Sequence, residues 1–145
     1  MTIDLYPEVV YDLTPDIGGE IDEAVEKIRE ATKGWGTNEG ALLRAMAYRT
    51  PEERCKVAIK YKETHGKELK AVMKSECGSR DFGTALQLLA LPPDLAEVDI
   101  IRKACRGLGT DELLLYPVIC GRSNKEIDQL KKKYFEVYSK DLGGV

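Results

Sequence analysis

The sequence is short of the residues that most site chemistry needs. Its 145 residues include one histidine, one tryptophan, two phenylalanines and four cysteines. A lone histidine, His65, with cysteines at 55, 77, 105 and 120 and no CxxC pair, argues against a zinc site. It also leaves no nucleophile–base constellation, and no acid stands at a motif-like distance from His65, so the chain is not expected to be an enzyme. Positive charge is scarce as well. With 22 Lys and Arg against 25 Asp and Glu the net charge is −3, and no basic stripe is present for nucleic acid or for direct docking on anionic lipid. No apolar run approaches the roughly 18–20 residues that cross a bilayer. The opening MTIDLYPEVVYDL lacks the basic and apolar regions of a secretory signal, which points to the cytosol and to free, partly buried thiols.

What the chain does have is a hydrophobic content of 43%, enough length for a real core, and an internal duplication. A shift of 73 residues lays KGWGTNE (33–39) on RGLGTDE (106–112) without a gap. The same shift pairs Ile28 with Ile101, Arg29 with Arg102, Leu42 with Leu115, Arg49 with Arg122, Glu53 with Glu126, Tyr61 with Tyr134 and Leu69 with Leu142. Pro92-Pro93-Asp94 is the natural seam, because proline breaks one helix and starts the next. The expected organisation is a tail over 1–18, a first repeat over 19–92, and a second over 93–145 that stops short of its equivalent end. A half-repeat leaves an apolar face uncovered, which suggests a piece of a longer array.

The periodicity is helical throughout, and no stretch alternates like a strand. Ile21, Ala24, Val25, Ile28 and Ala31 mark a first helix ending at Gly34, and Leu42, Ala45 and Met46 a second, starting from Thr37. Thr50-Pro51-Glu52-Glu53 is a capping box with proline at the first helical position, and Ser123-Asn124-Lys125-Glu126 repeats the box. A third helix carries Ala58 and Tyr61 to Gly66, a fourth holds Leu69, Val72 and Met73, and a fifth shows Phe82, Ala85, Leu86 and Leu89. The predicted fold class is all-α, with five short helices per copy.

The loop KGWGTNE poses the functional question. Paired glycines let the backbone turn several carbonyl oxygens toward one point, and such oxygens suit Ca²⁺. The loop carries little negative charge, so a carboxylate must come from elsewhere. Walker and EF-hand patterns are missing. The plain alternative is a tight turn between helices, with Thr37 as the cap of the second.

A K/R-G-x-G-T-D/N-E loop after a helix, an arginine about a dozen residues on, and Lys74-Ser75-Glu76 ahead of the fifth helix, all within a tandem five-helix unit, resemble annexin repeats. The resemblance covers nearly everything after residue 19. It implies a four-helix bundle with a crossing helix in each repeat, a right-handed superhelical arrangement, and a cytoplasmic protein that binds acidic phospholipid membranes peripherally when calcium is present. It also implies a principal Ca²⁺ site made of the Thr32, Gly34 and Gly36 carbonyls with both oxygens of Glu76. An accessory site would use the Thr37 carbonyl and the Glu39 side chain. The turn at Cys77-Gly78-Ser79-Arg80 is one residue longer than usual, which casts doubt on a further ligand near Phe82 and Gly83. In the second loop Cys105, Gly107, Gly109 and Glu112 are the counterparts. The matching acid falls beyond Val145, so that site is expected to be weak or empty. Membrane contact is implied for Lys33 and Trp35, and for Arg106 and Leu108 in the second copy. The remaining partners implied are the other annexin repeats of a longer parent chain.

Two further readings stand beside these. Trp35 either points outward at the loop tip, as suits an interfacial residue, or folds back onto its own helices. Arg49 and Arg122 are expected to act structurally, as ion pairs or carbonyl caps between helices. A helical repeat scaffold for protein–protein interaction, without calcium, is the rival function.

Overall fold

The computed structural model describes residues 19–144. The tail expected over 1–18 lies outside the described residues. Eight α-helices follow one another: α1 (Glu20–Ala31), α2 (Glu39–Ala47), α3 (Pro51–His65), α4 (Leu69–Cys77), α5 (Asp81–Leu89), α6 (Pro93–Ala104), α7 (Glu112–Ile119) and α8 (Asn124–Tyr138), then a 3₁₀ turn at Leu142–Gly144. Among the described residues there is no strand. The chain divides into two compact units that meet in sequence at Pro92 and Pro93.

In the first unit the helices form where local chemistry favours them. Acidic Glu20, Asp22 and Glu23 open α1 and Arg29 closes it, matching the helix dipole, while Ile21, Ala24, Val25, Ile28 and Ala31 line one buried face. Thr50 and Glu53 close the capping box reciprocally: the Glu53 amide donates to the Thr50 hydroxyl at 3.2 Å, and the Thr50 amide donates to the Glu53 carboxylate at 2.7 Å. Helix α3 stops at Gly66, whose φ of 67° is the left-handed conformation of a helix C-terminus. One core joins all five helices, with Ile28, Leu42, Met46, Val57, Tyr61, Leu69, Met73 and Leu86 buried together. Each such side chain contributes about 1.5–3 kcal/mol by leaving water. In α5 the expected face is rotated: Gly83 and Leu86 are buried and Ala85 is exposed.

The second unit repeats the pattern over α6, α7 and α8, with a core of Val98, Ile101, Val118, Leu130 and Tyr134. Its capping box at Ser123 and Glu126 has the same two bonds, at 3.3 and 2.7 Å. Elements equivalent to α4 and α5 are absent among the described residues. Leu113 and Tyr116 of α7 are exposed, and the Tyr134 hydroxyl is buried without a partner among the described residues.

The two arginines act as expected. Arg49 donates from Nε to the Ala45 carbonyl at 2.9 Å and from a terminal nitrogen to the Glu20 carbonyl at 3.3 Å, tying α2 to the start of α1. Arg122 donates to the Val118 carbonyl at 2.9 Å and pairs with Glu97 of α6. The four cysteines form no disulfide, with Cys55 buried and Cys120 exposed. Of the lysine run in α8, Lys131 and Lys132 are exposed, whereas Lys133 reaches Asp94 at 3.4 Å and Glu136 at 3.1 Å.

Candidate metal centre

The loop between α1 and α2 is built by its hydrogen bonds. Helix α1 ends at Ala31, three residues before the expected Gly34, with Thr32 as its cap residue. The Thr32 hydroxyl folds back onto the helix, where the Ile28 carbonyl accepts at 3.0 Å and the Arg29 carbonyl at 3.2 Å. The Asn38 amide then donates to the Ala31 carbonyl at 2.9 Å and pinches the loop shut at its base. Between these points Gly34 and Gly36 take φ of 96° and 90°, conformations that strain any residue with a Cβ. Among the described residues no hydrogen bond falls on the carbonyl oxygens of Thr32, Gly34 or Gly36. Trp35, between the glycines, is fully exposed.

The expected start of α2 is corrected by this geometry. Thr37 does not cap the helix. Asn38 does, its side-chain oxygen accepting from the Ala41 amide at 3.0 Å. The Thr37 hydroxyl instead donates to Oε2 of Glu76 at 2.6 Å, the length of a charge-assisted bond. Glu76 comes from the last turn of α4, so this contact brings a distant carboxylate to the glycine loop.

Glu39 lies in the first turn of α2. The neighbouring Cys77 thiol is pushed up in pKa, chiefly by burial and then by the negative charges of Glu39 and Glu76. The Thr37 carbonyl already accepts from the Glu39 amide at 3.2 Å. Glu76 also borders a cleft of ≈ 400 Å³ whose wall includes Arg29, Thr32, Lys67 and Ser75.

The donor set fits one kind of ion. Among the described residues no group of three His, Cys, Asp or Glu side chains is placed to hold a metal, which leaves backbone oxygens as the main supply. Carbonyl oxygens with a single carboxylate are hard ligands, suited to Ca²⁺ and poor for the softer transition metals.

The second loop has the same backbone. Asp111 donates its amide to the Ala104 carbonyl at 2.8 Å and caps α7 by accepting from the Leu114 amide at 3.2 Å. Gly107 and Gly109 have φ of 120° and 94°, and Leu108 is fully exposed. Cys105 occupies the place of Thr32, Arg106 follows it, and Glu112 opens α7. Among the described residues no hydrogen bond ties a distant carboxylate to this loop.

Two loops of one design, each on its own helical unit, are a repeat signature, and comparison with known proteins identifies it. The annexin family model matches residues 23–89 and 96–144. This chain is a member of the annexin family. It is 42% identical to human annexin A13 over 125 residues, which is 86% of this chain and 39% of that protein. Mouse annexin A13 is 40% identical over the same coverage. Among solved structures, annexin III superimposes with a TM-score of 0.79 at 28% identity, over 90% of this chain and 39% of the other. A structure described as calcium-bound annexin (Sm)1 gives a TM-score of 0.71 at 27% identity, over 88% of this chain and 38% of the other. The annexin chain thus spans 39% of the length of the annexin A13 relatives. Among its described residues no helix is long and apolar enough to cross a membrane.

Proposed function

We propose that this annexin chain binds acidic phospholipid surfaces in a calcium-dependent manner, as a peripheral and non-catalytic module of the cytoplasm. The observation that carries the reading is the placement of Glu76 against the glycine loop, held by the Thr37 hydroxyl. The Thr32, Gly34 and Gly36 carbonyls and both oxygens of Glu76 hold the ion in the principal site. The Thr37 carbonyl and Glu39 form the accessory one. Bound calcium supplies a positive bridge between an acidic protein and acidic headgroups, with coordination positions left for phosphate or carboxylate oxygens. Trp35 enters the headgroup layer from the loop tip, because its indole combines an apolar body with one N–H donor. Lys33 beside it meets phosphate. Arg106 and Leu108 take these parts in the second loop, where Cys105, Gly107, Gly109 and Glu112 are the counterpart ligands.

Co-sedimentation with phosphatidylserine–phosphatidylcholine vesicles across a calcium titration tests this. Glu76→Gln should raise the calcium midpoint on the order of tenfold, since ligand charge tunes the affinity of such sites, with an unchanged helical spectrum. Equal midpoints for the two proteins would instead favour a helical scaffold whose glycine loops are only turns.

A further inference from the structure

The turn that follows Glu76 at the end of α4 is held down by side chains of the next helix. Gly78 sits at φ 71° and ψ −157°, a conformation reserved for glycine, so the turn has little local preference to keep it in place. Two of its carbonyls are tied to α5: Gln87 donates from Nε2 to the Gly78 carbonyl at 2.9 Å, and Thr84 donates from its hydroxyl to the Ser79 carbonyl at 3.2 Å. The Gln87 amide also reaches the Gly83 carbonyl of its own helix at 3.1 Å, which orients the side chain. Gly83 permits the approach, because a Cβ there would stand 2.4 Å from the Gly78 oxygen and 2.5 Å from the Cys77 oxygen.

We infer that Gln87 is a positioning residue for the cation site: with Gly83 and Thr84 it clamps the turn after α4 and so fixes the direction in which Glu76 meets the loop. The inference rests on the calcium reading above. Glu76 lies in the last turn of α4, two residues before Gly78, so the clamp acts on it through the end of the helix that carries it. The same bonds occupy the Gly78 and Ser79 carbonyls and turn them toward α5. The turn therefore offers the site one carboxylate and neither of these backbone oxygens, in keeping with a metal shell oriented by outer partners.

Terbium, a luminescent stand-in for calcium, tests the clamp when excited through Trp35, the chain's only tryptophan, at a wavelength that the tyrosines do not absorb, so that the signal reports ions near that indole. Gln87→Met keeps the length of the side chain and removes its donor; it should weaken terbium binding roughly tenfold, the low end for loss of an outer-shell partner. Thr84→Val is the second variant and should act in the same direction. In a Glu76→Gln background neither substitution should weaken binding further, because the carboxylate they orient is gone. Unchanged affinity in both single variants, or the same loss with and without Glu76, would overturn the inference. If Glu76→Gln alone left terbium affinity unchanged, the calcium reading itself would fall. Thermal melts of the metal-free variants establish that each is folded.

Discussion

Thr37 and Asn38 are neighbours whose side chains can both cap a helix. The fold divides the work between them: Asn38 takes the cap, and Thr37 donates to Glu76. Composition and spacing cannot choose between two adjacent candidates, because the deciding partner lies 39 residues away in sequence. For Trp35 the sequence left two placements open, and the structure decides between them: flanked by glycines at left-handed φ, the ring stands in solvent. Trp35→Ala should therefore change stability by no more than about 0.5 kcal/mol, as for other surface positions. If its indole is transferred into the headgroup layer, the same substitution should weaken vesicle binding about tenfold, the scale of burying one large apolar side chain. Urea melts and vesicle titrations read the two effects separately. Gln87 left no signal in the sequence, because its importance depends on a turn that it meets from the next helix.

At the scale of single elements, the starts of α3 and α8 were legible because a capping box is a local motif: the four residues Thr50–Glu53 contain both halves of the interaction. Thr50→Ala should destabilise the chain by about 1 kcal/mol, seen as a lower urea midpoint with an unchanged slope. Helix α5 shows the opposite case. Nine residues give periodicity few turns to act on, and close approach of Gly83 to the preceding turn, which decides the buried face, is a tertiary fact. Ala85 consequently faces solvent although its spacing suits the core.

For the whole molecule, the duplication was legible because identical loops and capping boxes recur at one shift, and the helical class follows from periodicity alone. Among the described residues the first unit joins five helices around one core, whereas the second has a smaller core and a buried, unpartnered Tyr134 hydroxyl where the matching Tyr61 borders residues of α4. Amide hydrogen exchange should accordingly be slower for core positions of α1 and α3 than for those of α6 and α8, since protection follows local stability; equal protection would mean that the second unit gains closure from contacts outside its own core. Calcium-soaked crystals measured for anomalous scattering test the first loop. An ion is expected within about 2.3–2.6 Å of the Thr32, Gly34 and Gly36 carbonyls and both Glu76 oxygens. An empty loop at saturating calcium, with Glu76 still bonded to Thr37 and the loop clear of lattice contacts, would contradict it.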